Sequence, residues 1–117
     1  MTRLTDLKVS DRISIDSKYA IVYIAPGATN MCMGMDGLST SIKNQFKLDP
    51  MKLNIFLFCN RKQDRIKILL WEKDGFVLLY KRLETGSFFW PQTANQVRPI
   101  TPAQFNKLLS GSNDWQD

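Results

Sequence analysis

The chain has 117 residues, 44% of them hydrophobic and 23% charged, which suits one modest core and excludes both a second sizeable domain and a disordered chain. Histidine is absent and the two cysteines, Cys32 and Cys59, lack paired spacing; this excludes imidazole bases, imidazole zinc ligands and Ser-His or Cys-His pairs, and so most hydrolases. The net charge is +5, with 6 basic and 5 acidic groups in residues 1–50 (+1), 9 and 4 in residues 51–98 (+5), and 1 and 2 in residues 99–117 (−1).

In chain order, residues 1–17 read as a lead-in, with Ile13 and Ile15 extended. Tyr19 to Ala25, YAIVYIA, is β-branched and aromatic, stops at Pro26-Gly27 and predicts a buried strand. Thr29 or Asn30 then caps a helix over Met31 to Leu48, where Met35, Leu38, Ile42 and Phe46 recur at helical spacing, and Asp49-Pro50 ends it. Three strands follow: Leu53 to Cys59, Arg65 to Glu72, and Phe76 to Leu83. A four-residue loop, Arg61 to Asp64, joins the first two, and Asp74-Gly75 reads as a type I′ hairpin between the second and third. Phe88 to Trp90 is a short apolar run that could add a strand.

ITPAQFNKLLSG is the best local signal. Thr101 as N-cap, Pro102 at the first helical position and Gln104 at the third form a capping box, Ile100 and Phe105 a hydrophobic staple, and Gly111 suits the position after the helix. Residues 112–117 are expected to fray. The predicted fold class is α+β, a single domain over residues 1–117. An antiparallel sheet of four to five strands carries one longer helix and a short C-terminal helix on one face.

Pairing through Asp74-Gly75 sets Trp71 opposite Leu78, Leu69 opposite Tyr80, Lys67 opposite Arg82 and Arg65 opposite Glu84. With Phe56 and Phe58 these form a basic, aromatic face. The other face carries Ile55, Leu57, Cys59, Ile66, Ile68, Leu70, Val77, Leu79 and Lys81, and is assigned to the core. Two readings of the aromatic face stay open. It is a platform for nucleic acid, with Phe58, Trp71 and Tyr80 stacking on bases, or it is covered by the N-terminal segment or a second subunit. Arg61, Lys62, Arg65, Lys67, Lys81 and Arg82 converge near one end of the hairpins and are the candidate phosphate contacts.

No catalytic residue, cofactor or metal is expected. Met31 to Met35, MCMGM, has soft ligands, but they point different ways on a helix and read as core filling. A metal nuclease needs at least two convergent carboxylates; Asp64 and Asp74 read as turn residues and Glu84 as a cross-strand partner, which leaves that activity as a third, least favoured reading. Neither a secretory h-region nor an apolar run of bilayer length is visible, so the expected location is the cytoplasm, without membrane contact.

The stretch Phe58 to Pro91, FCNRKQDRIKILLWEKDGFVLLYKRLETGSFFWP, together with TNM and GMDGL in Thr29 to Leu38 and LDP at Leu48 to Pro50, resembles the accessory proteins encoded by the second reading frame of insertion-sequence 66 elements, called TnpB or Orf2-like. Their pattern N-R-x-x-D-R-x-K-I-L-x-W-x-x-D-G-F-x-L-x-Y-K-R-L-E-x-G-x-F-x-W-P runs through Asn60 to Pro91. The resemblance implies a non-enzymatic protein that works beside a separate transposase in moving a bacterial element, with DNA at the element ends as the expected partner. The alternative is an adaptor that docks on the transposase through the aromatic face; a homodimer is also open. One departure stands out: where the family has T-D-M-R-K-G, this chain has Thr29, Asn30, Met31, Cys32, Met33 and Gly34. Two cations and an acid are lost there, which would impair this copy if that corner is functional.

Overall fold

The computed structural model describes residues 6–16, 21–93 and 98–116. Strands β1 (Leu7–Lys8) and β2 (Ser14–Ile15) pair antiparallel as a small ribbon. Ser10 Oγ accepts from the Arg12 and Ile13 N–H groups and holds its turn. Five further strands form the main sheet: β3 (Ile21–Ile24), β4 (Asn54–Cys59), β5 (Arg65–Glu72), β6 (Gly75–Arg82) and β7 (Arg98–Ile100), in the order β6-β5-β4-β3-β7. Tyr19 and Ala20, the first residues of the expected strand, lie outside the described residues.

The architecture is α+β, as expected, but the sheet is mixed rather than wholly antiparallel. β3 runs parallel to β4, with Tyr23 opposite Phe56, and the other neighbours are antiparallel. Parallel neighbours need a crossover of a dozen or more residues, and helix α1 (Met35–Asn44) lies within it. The expected helix over Met31 to Leu48 is therefore shorter. Asn30 Oδ1 accepts from the Cys32 N–H at 2.9 Å, and the Met33 N–H donates to Asn30 O at 3.1 Å. These bonds set a turn where the helix was expected to begin. Gly34 is the N-cap and provides no side-chain bond.

The two sheet faces carry separate cores, and the expectation of both helices on one face does not hold. The aliphatic face (Ile55, Leu57, Cys59, Ile66 and Ile68) packs with Leu7 and Val9 and with Phe105, Leu108 and Leu109 of helix α2 (Pro102–Leu109). On the opposite face, Phe56, Phe58 and Leu69 pack with Ala25 and with Leu38 and Ile42 of α1. The chain order gives the reason. The β3–β4 crossover carries α1 over the aromatic face, and α2 follows β7 onto the other.

Helix α2 is built as its sequence specifies. The Gln104 N–H donates to Thr101 Oγ1 at 3.1 Å, and the Thr101 N–H donates to Gln104 Oε1 at 2.9 Å. Gly111 takes a φ of +86°; its N–H reaches Leu108 O, and the Ser112 N–H reaches Lys107 O. Those two bonds form a Schellman end, which requires a residue tolerant of positive φ.

Two segments differ from expectation. Trp115, within the tail expected to fray, is fully buried and its Nε1 donates to Phe89 O at 2.5 Å, while Asn113, Asp114 and Gln116 around it are exposed and Asp117 lies outside the described residues. Phe88 to Trp90 forms no strand. Instead, the Phe88 N–H donates to Gln63 O, the Trp90 N–H to Gln63 Oε1, and Trp90 Nε1 to Ala25 O. Those bonds satisfy a non-repetitive crossing that buries Phe88 and Trp90.

Candidate nucleic-acid interface

The β5–β6 register differs from the sequence expectation by two residues. Glu72 pairs with Gly75, Trp71 with Phe76, Lys67 with Tyr80 and Arg65 with Arg82, so the two-residue loop is Lys73-Asp74. Gly75 opens β6 without the positive φ that an Asp74-Gly75 type I′ turn requires. Trp71 and Phe76 meet edge to face, ring centroids 4.9 Å apart. A slip of two keeps every side chain on its expected face, because the strand period is two. The β4–β5 register is as expected, with Ile55 opposite Leu70 and Cys59 opposite Ile66.

The loop joining β4 to β5 is a fixed structure. Asn60 Oδ1 accepts from the Asp64 and Arg65 N–H groups at 3.0 and 2.9 Å, while Asn60 Nδ2 donates to Asp64 Oδ1 at 2.6 Å. Gln63 adopts a φ of +61°. Around this loop the Leu83 N–H donates to Asp64 O and the Phe88 N–H to Gln63 O. Asn60, Gln63 and Asp64 thus tie three chain segments together, a role the sequence reading did not assign. The signal was present: an Asn at a strand end, four residues before an Asp, can bond the backbone of the turn it starts. The Asn60 amide, followed by the Arg65 and Lys62 charges, holds the Asp64 carboxyl below its ordinary range.

At the outside of this loop, Arg61 and Lys62 are exposed. Arg65 starts β5 directly opposite Arg82 at the end of β6, two like charges whose facing costs stability. Arg82 offsets this through an exposed ion pair with Glu84 at 2.9 Å, which raises the Arg82 pKa further. The Arg65 Nε is buried without a hydrogen-bond acceptor among the described residues. Tyr80, half exposed, lies next on this face, its ring centroid 5.9 Å from Lys67 Nζ.

The other expected contacts are placed elsewhere. Lys67 Nζ donates to Met31 O and Met33 O, both at 2.7 Å, so it fastens β5 to the turn before α1. Lys81 points to the opposite face, where its Nζ donates to Val9 O at 2.7 Å and to Leu109 O at 3.2 Å, at the C-terminal end of α2. The six cations therefore do not form one cluster. Phe58 is 2% exposed beneath α1, too deep for its ring to stack on a base. Trp71 sits at the hairpin-turn end of β5, six residues or about 20 Å from Arg65. Phe56 and Phe58 are buried under α1, on the face that the alternative reading assigns to transposase docking.

Among the described residues, no three His, Cys, Asp or Glu side chains converge to hold a metal ion, and no helix is long and apolar enough to cross a membrane. Cys59 is fully buried, and burial pushes its thiol up to about 12. The Met31 to Met33 corner presents two carbonyls to Lys67.

The features together define a small mixed-sheet protein with one hydrogen-bonded, basic loop end. A family model described as IS66 Orf2 like protein matches residues 20–117, and the chain belongs to that family. It is similar to the uncharacterized protein y4hO of Sinorhizobium fredii, at 37% identity over 95 residues (81% of this chain, 82% of that one). The uncharacterized protein y4jC of the same organism is 29% identical over 94 residues, 80% of each chain. No solved structure matches the chain.

Proposed function

We propose that the chain is a non-enzymatic accessory factor in insertion-sequence transposition that contacts element DNA through its basic loop end. In this reading Arg61, Lys62, Arg65 and Arg82 meet phosphates, and Tyr80 supplies an exposed ring beside them. The observation that carries the proposal is the facing of Arg65 and Arg82 beside the exposed Arg61-Lys62 turn. Like charges held on neighbouring strands cost stability by themselves, and a polyanion reverses the sign of that cost. Membership in the IS66 Orf2-like family supports the transposition context, and a cytoplasmic location belongs to the same reading.

Lys67 and Lys81 are structural in this account, because two backbone carbonyls already receive each ammonium. Titration of the protein with element-end duplexes and unrelated duplexes, at several salt concentrations, tests the proposal. Phosphate contacts predict an affinity that falls steeply with salt, with a log-log slope of about −0.9 per contact. Absence of binding to either duplex, or an affinity indifferent to salt, overturns it.

A further inference from the structure

The two edges of the main sheet are unlike. β7 has three residues and includes Pro99, a short edge blunted by a residue that cannot donate to a ladder. β6 has eight residues, GFVLLYKR, pairs with β5 over its whole length in unbroken register and contains no proline. Its inward charge does not guard it either, because the Lys81 ammonium is taken by Val9 O and Leu109 O. Among the described residues no strand pairs with the far side of β6. Such an edge is a template for another strand.

The hairpin closure fixes which groups that edge offers. Glu72 and Gly75 close a two-residue loop, so they form a hydrogen-bonded pair, as do Leu70 with Val77, Ile68 with Leu79 and Ile66 with Lys81. The N–H and C=O groups of the alternate residues, Phe76, Leu78, Tyr80 and Arg82, therefore point away from β5.

We infer that β6 pairs antiparallel with β6 of a second copy of this chain about a two-fold axis at Leu78, joining two five-stranded sheets into one. This register is self-complementary. Leu78 meets Leu78 of the second copy, Phe76 meets its Tyr80, Val77 meets its Leu79, and Asp74 meets its Arg82. Every outward N–H and C=O from Phe76 to Tyr80 then has a partner, and the aromatic and opposite-charge pairs recur on both sides of the axis. Shifting each copy by one residue toward Leu79 sets Phe76 against Arg82 and Val77 against Lys81, and the other direction sets Lys73 against Lys81. Both shifts lose the charge match. The occupant is thus a second copy rather than an unrelated strand, since the edge carries its own complement in sequence.

Sedimentation of the full chain between about 1 and 100 μM, with amide hydrogen exchange at both ends of that range, tests the inference. The expected result is a monomer–dimer equilibrium, with the Phe76, Leu78 and Tyr80 amides protected only at high concentration and the Val77 and Leu79 amides protected throughout. Tyr80→Pro, which removes an outward donor on an edge strand, should weaken dimerisation at least tenfold. Asp74→Arg should weaken it similarly, and Asp74→Arg with Arg82→Asp should restore it. A monomer at 100 μM, or a dimer whose Leu78 and Tyr80 amides exchange freely, overturns the inference, and neither readout depends on a variant folding.

Discussion

Asn60 brackets Asp64 from both sides, donating to its carboxylate at 2.6 Å and accepting from its backbone N–H at 3.0 Å. The same amide oxygen holds the Arg65 N–H, so one side chain sets where β5 begins. Asn60→Ala leaves the Asp64 and Arg65 donors without their acceptor, and we expect a loss of about 1–3 kcal/mol in urea unfolding.

The same contact gives a pH dependence. Because the Asn60 amide, and after it Arg65, depresses the folded Asp64 pKa, the contribution is present above the unfolded value of about 3.9 and is lost as pH falls through the folded value. Asp64→Asn should flatten the acid limb of the stability profile below about pH 4. An unchanged limb would mean that other carboxylates govern acid unfolding.

The four cations left at the loop end and the two anchored lysines should separate in unfolding experiments. Lys67→Met frees the Met31 and Met33 carbonyls, and Lys81→Met frees those of Val9 and Leu109. Each should cost about 1.5–3 kcal/mol, the range for hydrogen bonds to a charged group. Arg61→Ala and Lys62→Ala, on exposed positions, should stay within about 0.5 kcal/mol. Equal effects in both groups would contradict the division into structural and surface cations.

Cys32 is exposed and Cys59 fully buried, its thiol pushed up to about 12 by burial. A thiol reagent near pH 8 should therefore consume one equivalent in the native chain and two in denaturant. Two fast equivalents in the native state would place Cys59 outside the core.

Trp115 is fully buried, donates to Phe89 O and lies under the Arg98 guanidinium, 5.5 Å from its ring. Trp115→Ala should cost about 3–5 kcal/mol, as for other large-to-small core changes, measured by chemical unfolding. A loss within about 0.5 kcal/mol, the range of ordinary surface positions, would show the tail to be dispensable.

Local chemistry was legible in the sequence and long-range placement was not. The Thr101–Gln104 box and the Gly111 end are satisfied within one turn of chain, so spacing alone specified them. The division of faces over β4, β5 and β6 was also legible, because a period of two survives a register slip of two. The slip itself was hidden, since Asp74-Gly75 reads as a turn and only the pairing of Trp71 with Phe76 discloses the true loop. Which helix covers which face depends on the parallel β3–β4 step, a contact between distant residues with no local signature. The same limit applied at the site. Periodicity put Lys67 beside the aromatics, but nothing near it in sequence showed that Met31 and Met33 would receive its ammonium.

The most direct test of the central claim is the salt slope of element-end DNA binding, compared among the wild-type chain, an Arg61→Glu and Lys62→Glu double variant, and Lys67→Met. The account predicts that the double variant weakens binding at low salt and reduces the magnitude of the log-log slope by about 2. It also predicts that Lys67→Met, assayed where it remains folded, keeps the wild-type slope. A double variant that binds with wild-type affinity and slope would contradict the account, as would a slope lost in Lys67→Met instead.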